Sequence, residues 1–208
     1  MSQPIPLAVL TGDLIGSTRM VPTRLEQAFA ALTSAAARID GWQAYPTHFS
    51  RYRGDGWQIV LLRPQLALRA ALFLRASLRA TGRDLSTRIA IAAGTGRPPQ
   101  SPDLNTATGA VFVASGRALD AMEPQAQLTF AAGGALGAAV RLADALSRGW
   151  TVAQARAIAP MLDPEPPTHI AVAESLSITR QAVEQALAAA SYSALSEALA
   201  LIEADHAS

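Results

Sequence analysis

Two aspartates stand where chemistry is possible. Asp13 lies in Thr-Gly-Asp-Leu-Ile-Gly-Ser-Thr, just after an apolar run over residues 5–10, and Asp55 lies in Arg-Gly-Asp-Gly-Trp between two extended segments. Magnesium is characteristically held by one or two carboxylates together with substrate phosphates, so a pair of aspartates at strand ends points to Mg2+ (or Mn2+) beside a bound nucleotide. The residues after the first aspartate, Leu14, Ile15, Gly16, Ser17 and Thr18, offer backbone N–H groups, a glycine that permits close approach and two hydroxyls. Such a segment can cradle a triphosphate. Taken singly, each feature has a plainer reading: Gly-Asp-Gly is an ordinary hairpin turn, and an aspartate after a strand is a helix cap.

Positioning these groups requires particular elements. Residues 5–10 read as a buried strand, and the stripe Leu25, Phe29, Leu32, Ala36 and Ile39 as a helix from Pro22 that ends at Asp40 and Gly41. Extended segments at 45–53 and 57–62 flank the Asp-Gly turn and form a hairpin. A helix over 66–81 stops at Gly82, and a strand follows at 87–93. The order is βαββαβ, an α+β arrangement of the ferredoxin-like or palm type, with a four-stranded antiparallel sheet and both helices on one face. In that topology the end of the first strand and the hairpin turn are neighbours, so Asp13 and Asp55 can share an ion. A helix over 109–122, a short strand at 127–130 and a helix over 135–147 complete a first domain, 1–148. An all-helical second domain, 149–208, begins with Thr151 as a helix cap and is interrupted by Asp163-Pro164-Glu165-Pro166-Pro167.

Composition limits the partners. Half the 208 residues are hydrophobic and 16% are charged, which describes a globular chain rather than a disordered one. The net charge is +1 and all 17 basic residues are arginine, so binding to nucleic acid cannot rest on a polybasic surface. Cysteine is absent, which removes disulfides, thiolate catalysis and cysteine-based zinc sites. With no signal peptide or membrane span visible, a cytoplasmic location and no membrane partner are expected.

The segments around Asp13 and Asp55 resemble those of class III nucleotidyl cyclases, in which an apolar strand, a metal aspartate and Gly-Ser-Thr are followed by a Gly-Asp hairpin with the second metal aspartate. Thr87-Arg88-Ile89-Ala90-Ile91-Ala92-Ala93-Gly94 is similar to a further strand of that family, and residues 109–122 to its next helix. Over nearly its whole length the chain resembles SatD-like bacterial proteins, which join such a domain to a helix-turn-helix. The resemblance implies two-metal chemistry at Asp13 and Asp55, with Arg117 stabilising the transition state and Arg51 and Thr106 at the base-selecting positions. It also implies a head-to-tail homodimer. Val113 replaces the asparagine that orients the ribose, Arg51 the usual lysine, and Thr106 the usual aspartate, while the lysine on the triphosphate has no counterpart. Apart from the resemblance, Arg117 reads as a surface helix arginine and Arg51 as a solvated strand residue.

From Thr168 onward the chain resembles the helix-turn-helix of bacterial repressors. Ile170, Ala171, Leu176, Ile178, Ala182, Val183 and Leu187 are the expected buried set, with a tight turn at Ser177. Thr179 caps the second helix, and Arg180, Gln181 and Gln185 face outward to double-stranded DNA, where arginine suits guanine and glutamine suits adenine. A helical hairpin used only for dimerisation is the other reading. Three functions therefore stand open from sequence. The favoured one is a transcriptional regulator that senses a nucleotide and binds DNA; the others are an active metal-dependent nucleotidyl cyclase and a pure interaction protein.

Overall fold

A computed structural model describes residues 3–43, 45–52 and 54–205. The first part runs β1 (Ile5–Leu14), α1 (Pro22–Asp40), β2 (Phe49–Tyr52), β3 (Gly56–Leu61), α2 (Ala67–Thr81), β4 (Thr87–Gly96), α3 (Ala110–Asp120), β5 (Leu128–Phe130) and α4 (Gly134–Ser147). Its strands form one sheet in the order β2-β3-β1-β4-β5, antiparallel except for the parallel β4–β5 pair. The expected α+β sheet is present, and the short strand after α3 extends it from four strands to five.

Both central strands outrun their apolar stretches. β1 continues past Leu10 to Leu14 because it has ladder partners on either side: Asp13 lies opposite Gly56 on β3 and opposite Arg88 on β4. Paired backbone, rather than apolar content, keeps these residues extended. β2 begins later than expected, at Phe49, and Pro46 can donate nothing to a ladder. Arg53, the expected end of that strand, lies outside the described residues.

Side chains alternate across the sheet with the period of two that strands impose. One face carries Ala8, Leu10, Trp57, Ile59 and Ile89 into a large core with α1 and α2. The opposite face carries Leu7, Val9, Val60 and Ala92 into a smaller core with Val111 and Phe112 of α3. Farther along that second face the sequence turns polar at Thr11, Asp13, Gln58 and Arg88, so apolar packing gives way to a cleft.

The C-terminal part is helical: α5 (Val152–Met161), α6 (His169–Leu176), α7 (Arg180–Ala189) and α8 (Tyr192–Asp205). Thr151 and Gln154 form a capping box at the start of α5. Thr168 and Thr179 cap α6 and α7, and Ser177 makes the turn between those helices in the left-handed conformation, at φ 54° and ψ 44°. Two short helices across a tight turn are therefore present, but their buried set differs from expectation. Ile170 and Ile178 are 53% and 44% exposed, while Val172 and Ala173 are buried with Val183 and Leu187. An eight-residue helix has little more than two turns, so its apolar stripe fits more than one rotation; here the face of Val172, Ala173 and Leu176 points inward.

These helices share the α1–α2 core. Trp150, Ile158, Leu162, Val183, Leu187, Leu195 and Leu199 are continuous with it, and the Trp150 indole N–H donates to the Ala190 carbonyl at 3.1 Å. Sandwiched between the sheet and the C-terminal helices, α2 is buried nearly all round, and its two interior arginines need partners. Arg69 makes paired hydrogen bonds to Glu203 of α8 at 2.6 and 3.0 Å. Arg75 reaches Asp144 of α4 at 2.9 Å, with the two side chains 4% and 2% exposed. Burial pushes the Arg75 guanidinium down to about 10, against the opposing pull of Asp144. Among the described residues no single helix is long and apolar enough to cross a membrane.

Removing one member of this buried pair strands the other's charge in the interior. Asp144→Ala should lower stability by about 3–5 kcal/mol, read as a shift of the urea unfolding midpoint. A loss under about 1 kcal/mol would show that Arg75 finds solvent or another partner.

Candidate functional site

Asp13 reaches the polar end of the sheet because the last turn of β1 is held from beneath. Trp57 is fully buried, and its indole N–H donates to Thr87 Oγ1 at 3.0 Å. The Thr87 hydroxyl in turn donates to the Asp13 carbonyl at 2.6 Å. Gly12 is required where Trp57 crosses under β1: a Cβ there would lie 2.4 Å from the indole ring and 2.6 Å from the Arg88 carbonyl. Asp55 is brought alongside by the β2–β3 turn, in which Gly54 takes φ 78°, and the Asp55 carbonyl accepts from the Leu14 N–H at 3.2 Å.

Direct pairing across β1 and β4 places Arg88 beside Asp13 on the same face. Its Nε donates to Asp13 Oδ1 at 2.9 Å and its Nη2 to Oδ2. The hydrogen bond to Asp13 holds the Arg88 guanidinium above its ordinary range, against partial burial, and the charges of Asp13, Asp120 and Asp55 add to the effect. Three carboxylates thus face one guanidinium, and two negative charges remain to attract a cation. Asp55 itself accepts a hydrogen bond from the Ser17 hydroxyl.

Two clefts meet at this carboxylate pair. One, of about 450 Å³, lies between the sheet and α3; its floor includes Thr11 and Gln58, its walls Tyr52, Leu104 and Phe112, and its rim Asp120. The other, of about 370 Å³, is bounded by Leu14, Ile15, Gly16 and Arg88. Asp13 and Asp55 line both. Among the described residues no three acidic or histidine side chains are grouped to hold a metal by themselves. A divalent ion here would need phosphate oxygens to complete its shell, which is how magnesium is commonly bound.

Other residues singled out by sequence fall as follows. The Leu14 and Ile15 amides are committed to Asp55 and Ser86 carbonyls, so the cradle for an anion narrows to Gly16, Ser17 and Thr18, where Gly16 takes φ 75°. Arg117 is exposed on α3 and lines neither cleft. Arg51 turns toward α1, bonding Glu26 at 2.7 Å and the Gly54 carbonyl at 2.8 Å, with its guanidinium 4.1 Å from the centre of the Phe29 ring. Thr106 borders a separate hollow beside Asp103. In the tail, Thr179 accepts from the Ala182 N–H at 3.1 Å, Arg180 bonds Glu184 at 2.7 Å, and Gln181 and Gln185 are exposed. Arg88, Gln58, Thr11 and Asp120 escaped notice in the sequence, because the strand register gathers the first three around Asp13 and the end of α3 brings the fourth to the cleft.

No family model and no curated protein matches the chain. Among the solved structures that show a distant likeness are two at 16% identity and a TM-score of 0.45 each. One is the guanylyl cyclase Cya2, with 64% of this chain aligned to 82% of that one. The other is the catalytic core of a rhodopsin-guanylyl cyclase with converted specificity in complex with ATPalphaS, with 59% of this chain aligned to 75% of that one.

Adding a methyl group at residue 12 forces Trp57 or β4 to move, and overpacking of this kind costs about 1–3 kcal/mol. Gly12→Ala should therefore lower the unfolding midpoint and alter the near-ultraviolet circular dichroism of the indoles. Unchanged spectra and stability would show that the close approach of Trp57 is not required.

Proposed function

We propose that the chain binds a nucleoside triphosphate together with a divalent cation, the phosphates and ion lying across Asp13 and Asp55 and the nucleoside lying under α3. The observation that carries this reading is the wall that the two clefts share: a carboxylate pair between a hollow under α3 and a glycine-containing loop beside an arginine. The resemblance of the Asp13 and Asp55 segments to class III cyclases points the same way.

The donor set fits a magnesium or manganese ion. Each carboxylate has about four lone-pair sites, so Asp13 can accept from Arg88 and retain capacity, and the surplus of negative charge favours a cation over a second guanidinium. When bound, the ion neutralises phosphate charge and acidifies a coordinated hydroxyl. The protein's own groups do the positioning. Arg88 is within reach of the phosphate cleft and can transfer its paired N–H donors from Asp13 to phosphate oxygens, a geometry guanidinium suits. Ser17 can likewise turn its hydroxyl from Asp55 to the anion.

Cyclisation is the reaction such a site would carry: the ribose 3′-oxygen bonds to the α-phosphorus, its proton leaves to solvent, and the bond to pyrophosphate breaks. One feature makes this chain better suited to binding than to turnover: Val113 supplies no hydrogen bond to ribose. Arg117 borders neither cleft of its own chain and would stabilise the transition state from the second copy of a head-to-tail homodimer. A nucleotide-sensing role, with homodimer formation coupled to ligand, follows from that arrangement.

A second reading, DNA binding by the tail, is favoured by the exposed start of α7 across the Ser177 turn, where Arg180, Gln181 and Gln185 are accessible. Arg180 must exchange Glu184 for a base to act there.

Calorimetry with MgATP and MgGTP should show binding, and Asp13→Asn or Asp55→Asn should weaken it about tenfold or more, since hydrogen-bonded charged groups contribute roughly 1.5–3 kcal/mol each. Incubation with each triphosphate and Mn2+ should release little cyclic product or pyrophosphate; rapid release would make the chain an active cyclase. For the tail, Arg180→Ala should cost about 1–3 kcal/mol in binding to the protein's own upstream DNA, and unchanged affinity would remove the DNA reading.

A further inference from the structure

The floor of the larger cleft is built from polar side chains whose hydrogen bonds run in one direction. Ser115, fully buried, donates to the Phe112 carbonyl at 2.9 Å, since a carbonyl can only accept. Its oxygen lies 2.8 Å from Thr11 Oγ1, and while Ser115 donates to the carbonyl it accepts from the Thr11 hydroxyl. With that proton used, Thr11 accepts from Gln58 Nε2 at 3.2 Å. With Gln58 Nε2 donating to Thr11, the amide oxygen points away from it, and the carboxamide keeps one N–H and its oxygen for a ligand. The Gln58 oxygen and its second N–H have no partner among the described residues, and both belong to a side chain that lines the cleft.

An available donor and acceptor in a cleft also lined by Tyr52, Leu104 and Phe112 match the edge of a planar heterocycle. Thr11 pairs with Gln58 across the sheet and lies two residues from Asp13 on the same face, which separates the polar floor from the carboxylates by about one strand repeat. A nucleoside spans that interval. Neither Arg51 nor Thr106 borders this cleft in its own chain.

Resting on the nucleotide reading above, we infer that Gln58, positioned by Thr11 and Ser115, reads the nucleobase and selects adenine. A carboxamide pairs with the 6-amino group and an adjacent ring nitrogen of adenine through two hydrogen bonds. At the corresponding edge guanine presents two acceptors, O6 and N7, so the Gln58 oxygen would face an acceptor without a hydrogen bond.

Competition against a fluorescent ATP analogue, with Mg2+ present, tests this on the full chain, using ATP, GTP and inorganic tripolyphosphate as competitors. The wild-type protein should bind ATP about tenfold more tightly than GTP or better. Gln58→Glu should invert the order, because a carboxylate accepts from both N1–H and the 2-amino group of guanine. Gln58→Leu should bind the two alike. Tripolyphosphate, which lacks a base, reports in every variant whether the carboxylate site is intact and the protein folded. If tripolyphosphate binds throughout while the ATP-to-GTP ratio stays the same in both variants, base reading by Gln58 is wrong and the carboxylate site stands. If the wild-type protein binds neither triphosphate nor tripolyphosphate, both fail together.

Discussion

A slip of one residue in the pairing of β1 would turn Thr11 and Asp13 onto the α1–α2 face and bury them among leucines. Register is therefore the constraint on which the site depends, and the sequence enforces it from both ends. Leu7 and Val9 need the α3 face, Ala8 and Leu10 need the larger core, and Gly12 alone fits over Trp57. With β1 fixed between β3 and β4, Gln58 and Arg88 have no choice of face: each sits opposite a polar residue of β1 and shares its cleft.

Electrostatics then sets the character of that cleft. Arg88 is the counter-ion of Asp13, and the charges of Asp120 and Asp55 also act on its guanidinium, which they help to hold charged. Pairing of this kind costs little to exchange at a partly exposed site, because solvent screens both the bond lost and the bond gained. On the proposed reading, phosphate and cation replace it together, the anion taking Arg88 and the cation taking Asp13. Preorganised donors limit the ordering cost of binding, and the Thr11–Ser115–Gln58 relay extends the same economy of motion to the nucleoside end.

Much of this was legible in the residues. Asp-Gly between extended segments announced the hairpin, the apolar run before Asp13 announced the first strand, and their topological order placed the two aspartates together. Arg88 was not legible, because it sits in an ordinary β-branched strand pattern and acquires meaning only from its partner across the ladder. Gln58 interrupts an apolar strand, which was the one available signal, yet its role depends on Thr11 and on a serine more than a hundred positions from it. The inward rotation of α6 was also hidden, since Ile170 and Val172 are equally apolar and tertiary packing chose between them. Likewise nothing in the spacing of α2 told that Arg69 and Arg75 are buried against Glu203 and Asp144, partners supplied by α8 and α4.

Anomalous scattering from Mn2+ in crystals grown with a non-hydrolysable ATP analogue measures the central claim directly. The account predicts a metal peak bridging the carboxylates of Asp13 and Asp55, with the Arg88 guanidinium moved from Asp13 to a phosphate oxygen. A nucleotide bound with the Asp13–Arg88 pair intact and the manganese elsewhere would contradict it.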